Sequence, residues 1–262
     1  MSEYDLRFGG ISRLYGVKAV EIITHAKVCV IGIGGVGSWV AEALARNGIG
    51  HITLVDLDDI CTTNINRQLH ALTSTVGKSK VEVMAERISQ INPDCQVTEI
   101  EDFVTLENLH GILAQDFDYV VDAIDAVPIK AALIAHCKRF KKPIITIGGA
   151  GGQTDPTQIQ IADLSQTVQD PLLAKVRNLL RREYNFSRNL KRKFSIDAVY
   201  STQQLVYPDS DGNVCHAKQS SDGAMRLDCN NGFGATTHIT ATFAFFAVGR
   251  LMDKLIKKNL AK

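Results

Sequence analysis

Short apolar runs alternate with amphipathic segments along the first 150 residues. Each run is long enough for a strand, and the segment after it repeats its apolar residues at helical spacing. Residues 2–24 are predicted to form a pair of helices ahead of the first run. Further strands are predicted in the run before Gly32 and at 51–56, 96–101, 117–123 and 143–147, and further helices at 38–47, 78–91, 106–113 and 129–140. This alternation predicts an α/β fold, in which a Rossmann-like, mostly parallel sheet carries helices on both faces.

The pattern changes after this region. Strands are predicted at 157–163 and 199–206, but the connection between them is long, polar and basic, unlike a compact crossover. A long helix is predicted at 236–258. We expect residues 1–150 to form the N-terminal helices and the Rossmann-like region. Residues 151–262 would then form a C-terminal lobe with antiparallel strands and a terminal helix, within one continuous domain.

The stretch 232–249 is uncharged and as long as a membrane span. Its four threonines, its histidine and its three glycines favour a helix packed closely against protein. The helix would lie in the core or at a subunit interface, with membrane association as the remaining alternative.

Residues 27–37 pass from an apolar run into glycines and then open a helix. Gly32, Gly34 and Gly37 have the G-x-G-x-x-G spacing, which supplies a tight turn, close backbone approach and close helix packing. Because a helix N-terminus attracts anions, this loop, which includes Gly35, predicts a phosphate site. Asp56 ends the next strand, where a carboxylate can accept hydrogen bonds from a ribose. An NAD enzyme and an ATP enzyme fit these residues equally well.

Basic residues beyond the loop favour a triphosphate. The polar segment that begins at Asp56 contains Asp58, Asn64 and Arg67, and Lys80 lies at the start of the next helix. An arginine and a lysine together would balance the charge that moves onto the leaving oxygens of a triphosphate. The alternative is that Arg67 pairs with a surface carboxylate and that Lys80 has no functional contact.

Two acidic residues end the strand predicted at 117–123. Asp125 is a candidate Mg²⁺ ligand, because Mg²⁺ takes one or two carboxylates together with phosphate oxygens. Its alternative role is to cap the helix that follows. Asp122 competes for either role.

Taken together, these motifs resemble the ubiquitin-activating-enzyme-like adenylating superfamily. The resemblance rests on the glycine loop, Asp56, Asn64-Ile-Asn-Arg67-Gln, Lys80 and Asp122-Ala-Ile-Asp125. It implies that Mg-ATP binds and that a substrate carboxylate attacks the α-phosphate, which gives an acyl-adenylate and pyrophosphate. Arg67 and Lys80 would contact the phosphates, Asp56 the ribose and Asp125 the magnesium, with Asp58, Asn64 and Asp122 in the same nucleotide site. Many members also place an arginine in the N-terminal helix, for which Arg13 is the substitute here.

Segments at 7–16, 148–153, 162–172 and 221–234 resemble one branch of the superfamily, the bacterial tRNA threonylcarbamoyladenosine dehydratases. This resemblance implies a modified adenosine beside the tRNA anticodon as substrate. Its threonine carboxylate would be activated with ATP and attacked by the carbamoyl nitrogen, with net loss of water. A homodimer is also implied.

The sequence contains one strongly basic segment, although the net charge of the chain is only +1. We name residues 175–193 the basic arm, in which eight cations face a single acid, Glu183. The cations are Lys175, Arg177, Arg181, Arg182, Arg188, Lys191, Arg192 and Lys193. Because Tyr184 and Phe186 interleave with them, the arm predicts contact with tRNA rather than DNA. A solvated helix face is the alternative.

The six cysteines include no C-x-x-C pair, which disfavours a disulfide scaffold and a structural zinc and indicates a reduced, cytoplasmic protein. Members that activate sulfur carriers usually hold a zinc with two such pairs. Cys229 is predicted to be structural or sulfur-accepting rather than essential. Three alternative functions remain open. They are adenylation of a small sulfur-carrier protein, a non-catalytic nucleotide-binding partner of a sulfur-relay (cysteine desulfurase) system, and an NAD dehydrogenase.

Overall fold

One sheet of seven strands forms the centre of the described part of the chain. The computed structural model describes residues 3–209, 212–216 and 233–260. The strands are β1 Lys27–Ile31, β2 His51–Val55, β3 Gln96–Ile100, β4 Tyr119–Asp122, β5 Ile144–Ile147, β6 Ile159–Asp163 and β7 Asp197–Ser201. Their order across the sheet is β3-β2-β1-β4-β5-β7-β6. A separate antiparallel pair joins β8, Tyr207–Pro208, to β9, Val214–Cys215.

The strands are parallel except for β6, which pairs antiparallel with β7. The chain builds outward from β1 through β2 to β3, and then returns to place β4 on the other side of β1. The connections therefore diverge at the carboxyl ends of β1 and β4, which is where open α/β sheets bind their ligands. The predicted fold class is confirmed.

Helices cover both faces of the sheet. They are α1 Glu3–Tyr15, α2 Val17–His25, α3 Gly37–Arg46, α4 Lys80–Ile91, α5 Leu109–Ile112, α6 Val127–Arg139, α7 Pro171–Glu183 and α8 Thr237–Leu260. One apolar core lies between the sheet and α2, α3, α4 and α8, with Leu44 and Phe243 fully buried. The other lies between the sheet and α5, α6 and α7, with Leu133 and Val176 fully buried.

The connection between β6 and β7 differs from its prediction. It contains α7, which packs against α6. Its Leu173, Val176 and Leu180 are buried in the apolar core between these helices and the sheet. These three residues follow helical spacing, but the cations among them make the segment polar overall, so it was predicted as a polar connection. The strand predicted at 199–206 is also displaced, because β7 begins at Asp197 and ends at Ser201.

The boundary predicted near residue 150 falls inside the main sheet, since β6 and β7 extend it beyond β5. The division into two parts stays a prediction. Helix α8 lies across α2, α3 and the sheet, and its Phe243 and Leu251 are fully buried. In the described residues, no helix is both long and apolar enough to cross a membrane.

Candidate nucleotide site

The glycine loop between β1 and α3 touches the loop after β4. Gly32 has a φ of +87°, and a Cβ atom added there would lie 3.0 Å from the backbone of Ala123. A Cβ atom at Gly37 would lie 1.7 Å from the carbonyl oxygen of Gly32. A side chain at either position would push these backbones apart, which accounts for both glycines.

The two inner glycines face a different surface. A Cβ atom at Gly35 would lie 3.4 Å from Cγ of Arg67, and one at Gly34 would lie 3.9 Å from the side-chain nitrogen of Gln68. Helix α3 begins at Gly37 without a side-chain cap. The N–H of Ser38 donates to the carbonyl oxygen of Gly34 at 3.1 Å, and the positive end of the helix dipole points toward the loop. The loop therefore offers an anion site bordered by Arg67.

Arg67 is held by its backbone beside the loop. Its carbonyl oxygen accepts a hydrogen bond from Trp39 Nε1 at 3.1 Å and one from the Thr240 hydroxyl at 3.4 Å. Its guanidinium donates to the carbonyl oxygen of Thr63 at 2.8 Å and to Asn66 Oδ1 at 3.0 Å. The partners are thus neutral oxygens and not a surface carboxylate, so the positive charge of Arg67 is not neutralised by these contacts.

Lys80 is buried at the start of α4. Only 6% of its side chain is exposed, and its Nζ donates to Asp58 Oδ2 at 2.6 Å. The carboxylate of Asp58 is 53% exposed. An ammonium group has three donors, so Lys80 can keep this partner and still reach a phosphate oxygen.

Asp56 joins the glycine loop to the loop after β2. Its Oδ2 accepts from the backbone N–H of Ile33 at 2.6 Å, and its Oδ1 accepts from that of Asp58 at 2.9 Å. Each carboxylate oxygen has a further lone pair, so Asp56 retains acceptor capacity for a ribose.

Asn64 has a supporting position. It is buried, and its Oδ1 accepts from the backbone N–H of Cys61 at 3.0 Å. This bond closes the turn that leads to Arg67. The structure thus places Asn64 behind the site surface.

Asp122 lies beneath the site and has no exposed surface. Its Oδ1 accepts from Lys130 Nζ at 3.0 Å, and its Oδ2 accepts from the Thr146 hydroxyl at 2.7 Å. The pKa of Asp122 is raised above its ordinary value because the carboxyl group is buried. Lys130 and these hydrogen bonds offset part of that rise. Direct contact between Asp122 and a nucleotide would require this buried pair to open.

Asp125 lies at the surface of the same edge. It is exposed and makes no hydrogen bond to the described part of the chain. The N-cap residue of α6 is Ala126, and no side chain caps that helix. The structure therefore does not use Asp125 as the cap, and its carboxylate is available to a cation.

Similarity to known proteins gives the family. The chain matches the ThiF family over residues 10–260. It belongs to that family. This match confirms the resemblance to the adenylating superfamily.

Some relatives match this ThiF-family chain over nearly their whole length. A Haemophilus influenzae protein named tRNA threonylcarbamoyladenosine dehydratase is 60% identical over 259 residues, which cover 99% of this chain and 97% of that protein. Crystal structures of the Escherichia coli tRNA N6-threonylcarbamoyladenosine dehydratase in complex with ATP and with AMP each superpose with a TM-score of 0.89. They are 51% and 52% identical to this chain, and the matches cover all of it and 98% of each solved chain.

None of the contacts described for α1 places Arg13 beside the glycine loop. Tyr4 at the start of that helix donates to the carbonyl oxygen of Gly48 at 3.0 Å, at the amino end of β2. The Arg13 guanidinium lies beside Gly9 and Gly10 of its own helix. A catalytic role for Arg13 stays a prediction.

The end of the basic arm lies at the amino ends of the parallel strands, opposite the candidate nucleotide site, whereas α7 begins near the carboxyl end of β5, where Asp170 accepts from the N–H of Gly149. The backbone N–H groups of Phe194 and Ser195 donate to Asp163 beside the start of β7. Six arm cations are exposed, namely Lys175, Arg182, Arg188, Lys191, Arg192 and Lys193.

The other two arm cations are half-buried. Arg177 donates to the hydroxyl of Thr167, and Arg181 lies 5.2 Å from the centre of the Phe194 ring. Burial, followed by the charge of Arg181, lowers the pKa of Arg177. The Phe186 ring packs edge-on against Phe194 at 4.9 Å. Cys229 and residues 221–232 of the motif around it lie outside the described residues.

Two residues near the site were missed by sequence reasoning. Lys130 has no exposed surface and donates to the carbonyl oxygen of Ile124 at 2.8 Å as well as to Asp122. The one feature of the sequence that could have identified Lys130 is the presence of a lysine within an apolar helical stripe. His70 is buried, and its Nε2 lies 2.7 Å from the carbonyl oxygen of Ile33. Burial lowers the pKa of His70. Because a carbonyl oxygen can only accept, Nε2 carries the proton of this bond.

Replacing Lys130 with methionine is expected to destabilise the protein by about 3–5 kcal/mol at pH 7, because Asp122 would keep a buried charge without its partner. The free energy of unfolding in urea measures this loss. Removing Lys130 also raises the folded-state pKa of Asp122 further above its unfolded value, so the deficit should shrink as the pH falls and the acid is protonated.

Lys138→Met, on an exposed position of the same helix, is the matched control and should change stability by less than about 0.5 kcal/mol. Equal effects of the two substitutions would contradict the assignment.

Proposed function

We propose that this chain is an ATP-dependent enzyme that dehydrates and cyclises threonylcarbamoyladenosine in tRNA by activating the threonine carboxylate. One observation carries the proposal. Arg67 lies beside the glycine loop and Lys80 is linked to that loop through Asp58 and Asp56, in a chain that matches a dehydratase over nearly its full length. The ATP-bound relative supports the nucleotide.

The residues present fit Mg-ATP. The loop N–H groups, Arg67 and Lys80 would bind the phosphates, and Asp56 the ribose. Asp125 would hold Mg²⁺, because it is an exposed carboxylate at the same edge and Mg²⁺ otherwise takes phosphate oxygens and water. The ion would neutralise charge on the phosphates.

The reaction then consists of two displacements. A threonine carboxylate oxygen attacks the α-phosphorus of ATP, the bond to the β-phosphate breaks, and pyrophosphate leaves. The carbamoyl nitrogen next attacks the activated carbonyl carbon and loses its proton, and the C–O bond to AMP breaks. Arg67 and Lys80 stabilise the negative charge that develops in the first step.

Further expectations concern partners and location. Phe245 and Phe246 of α8 are 51% and 40% exposed, and the Phe245 ring packs edge-on against Trp39. We infer that this apolar surface contributes to a homodimer. We also infer a cytoplasmic location, because the six cysteines of the sequence include no C-x-x-C pair. Contacts with cysteine desulfurase proteins would require a surface that the described residues do not single out.

The alternatives have weaker support. An enzyme that adenylates a sulfur carrier has no use for the basic arm, and the usual zinc pairs are missing from the sequence. A non-catalytic partner would not need Arg67, Lys80 and Asp125 together. An NAD dehydrogenase is favoured only by the glycine loop and Asp56.

Incubation with ATP, Mg²⁺ and tRNA that carries the open threonylcarbamoyl group should remove the mass of one water from the modified nucleoside, as measured by mass spectrometry. Lys80→Ala should lower the rate at least about 100-fold, because it removes a charge from the phosphate site. Lys78→Ala, an exposed neighbour, is the control and should leave the rate unchanged. A wild-type protein that leaves the nucleoside mass unaltered would refute the proposed function.

Changing Arg188, Lys191 and Arg192 together to glutamine is expected to weaken tRNA binding. The slope of log affinity against log salt should fall by roughly 0.7–0.9 for each phosphate that the protein no longer neutralises. Fluorescence anisotropy over a salt series measures both quantities. The control carries Lys257→Gln and Lys258→Gln, which are exposed on α8. If the triple change altered ATP affinity instead, the arm would not be the tRNA contact.

A further inference from the structure

A cleft with a volume of about 720 Å³ separates the C-terminal half of α6 from the end of the basic arm. One wall includes His136 and Phe140, the other includes Tyr184 and Phe186, and Leu109 contributes to the lining. The volume lies within the range of small-molecule sites, roughly 300–1,000 Å³. We name this feature the α6–arm cleft. It lies at the amino ends of the strands and is separate from the glycine loop.

Aromatic rings form much of the first wall. The rings of His136 and Phe140 have centres 4.5 Å apart, and the ring of His110 lies 5.4 Å from His136. Phe140 is 50% exposed, so part of its ring faces solvent. Such a surface suits a flat, polarisable group, and an unpaired nucleobase stacks on aromatic rings of this kind.

Cations border the cleft on both sides. Lys138 and Arg139 are exposed at the end of α6, and Lys193 lines the cleft from the arm. The guanidinium of Arg139 lies 5.9 Å from the centre of the Phe140 ring. Glu183 is the acid in the lining, and it is paired with Arg182 at 2.8 Å. The charge around the mouth is therefore positive, as a polyanion requires.

We propose that the α6–arm cleft binds a single-stranded segment of RNA. An unstacked base would lie against Phe140 and His136, with its flanking phosphates on Lys138 and Arg139 on one side and on Lys193 on the other. This inference rests on the proposed function, since it assigns a subsite for the tRNA. An acidic protein segment would use the same cations but would not need the exposed ring, so the rings favour RNA.

The position of the cleft fits a large substrate. A strand of five residues such as β7 spans about 17 Å, and a tRNA is several times longer. One tRNA can therefore present its modified adenosine at a nucleotide site and place another unpaired base in a cleft at the opposite edge. The cleft would contribute affinity and register, without a chemical role.

The test uses the full-length protein, unmodified tRNA as the probe and fluorescence anisotropy as the measurement. Phe140→Ala should weaken binding by about 5- to 150-fold, the range expected when one stacked base loses its ring. It should leave the salt dependence unchanged, and Phe140→Trp should restore affinity. Arg139→Gln should instead lower the salt slope. Phe103→Ala, an equally exposed phenylalanine outside the cleft, is the matched control.

A second measurement does not depend on the folding of any variant. Wild-type protein is irradiated with tRNA that contains 4-thiouridine, and the crosslinked peptides are mapped by mass spectrometry. Crosslinks within residues 136–140 are expected.

Wild-type affinity in Phe140→Ala and Arg139→Gln, with no crosslink in residues 136–140, would overturn the inference. So would binding of an acidic peptide to the cleft with unchanged tRNA affinity. In either case, dehydration of tRNA by the wild-type enzyme would leave the proposed function standing, so the two failures are distinguishable.

Discussion

The close approach of the glycine loop to the loop after β4 is the constraint on which the site depends. At Gly32 and Gly37 the backbone leaves no room for a Cβ atom, so β1, α3 and the end of β4 meet at one point. This point is where the strand order reverses, and the crevice there opens between two diverging connections. The proposed roles of Arg67, Lys80, Asp56 and Asp125 depend on this contact, because it fixes the loops that carry them or lie beside them.

A buried ion pair supports the same point from below. Lys130 joins Asp122, at the end of β4, to the carbonyl oxygen of Ile124 in the loop that carries Asp125. A buried pair of charges is expensive to form and more expensive to break. Its value here is positional, because it holds the loop to the strand end in one arrangement.

The sequence was informative where a local rule decides the structure. Alternation of apolar runs and helical segments predicted the parallel sheet, and the glycine spacing predicted the tight turn between β1 and α3. Helix α7 was not predicted because the cations around Leu173, Val176 and Leu180 make the segment polar overall, although the helix itself is strongly amphipathic. Lys130 was not predicted because its role depends on a contact between a helix and a strand end. No rule of sequence spacing predicts such a contact.

In the structure, the candidate nucleotide site is distant from the end of the basic arm, which is the predicted tRNA contact. The candidate nucleotide site lies at the carboxyl ends of the strands, whereas the end of the basic arm lies at the amino ends. The order of the motifs along the chain could not show that the candidate site and the end of the basic arm lie at opposite edges of the sheet. A substrate that reaches both edges is consistent with a tRNA and is difficult to reconcile with a small metabolite.

The central claim is that the glycine loop, with Arg67 and Lys80 beside it, is a site for Mg-ATP. Isothermal titration of the protein with Mg-ATP and with NAD, under the same conditions, tests it most directly. The account predicts saturable binding of Mg-ATP and no saturable binding of NAD at the same concentrations. Tight binding of NAD with none of Mg-ATP would contradict it.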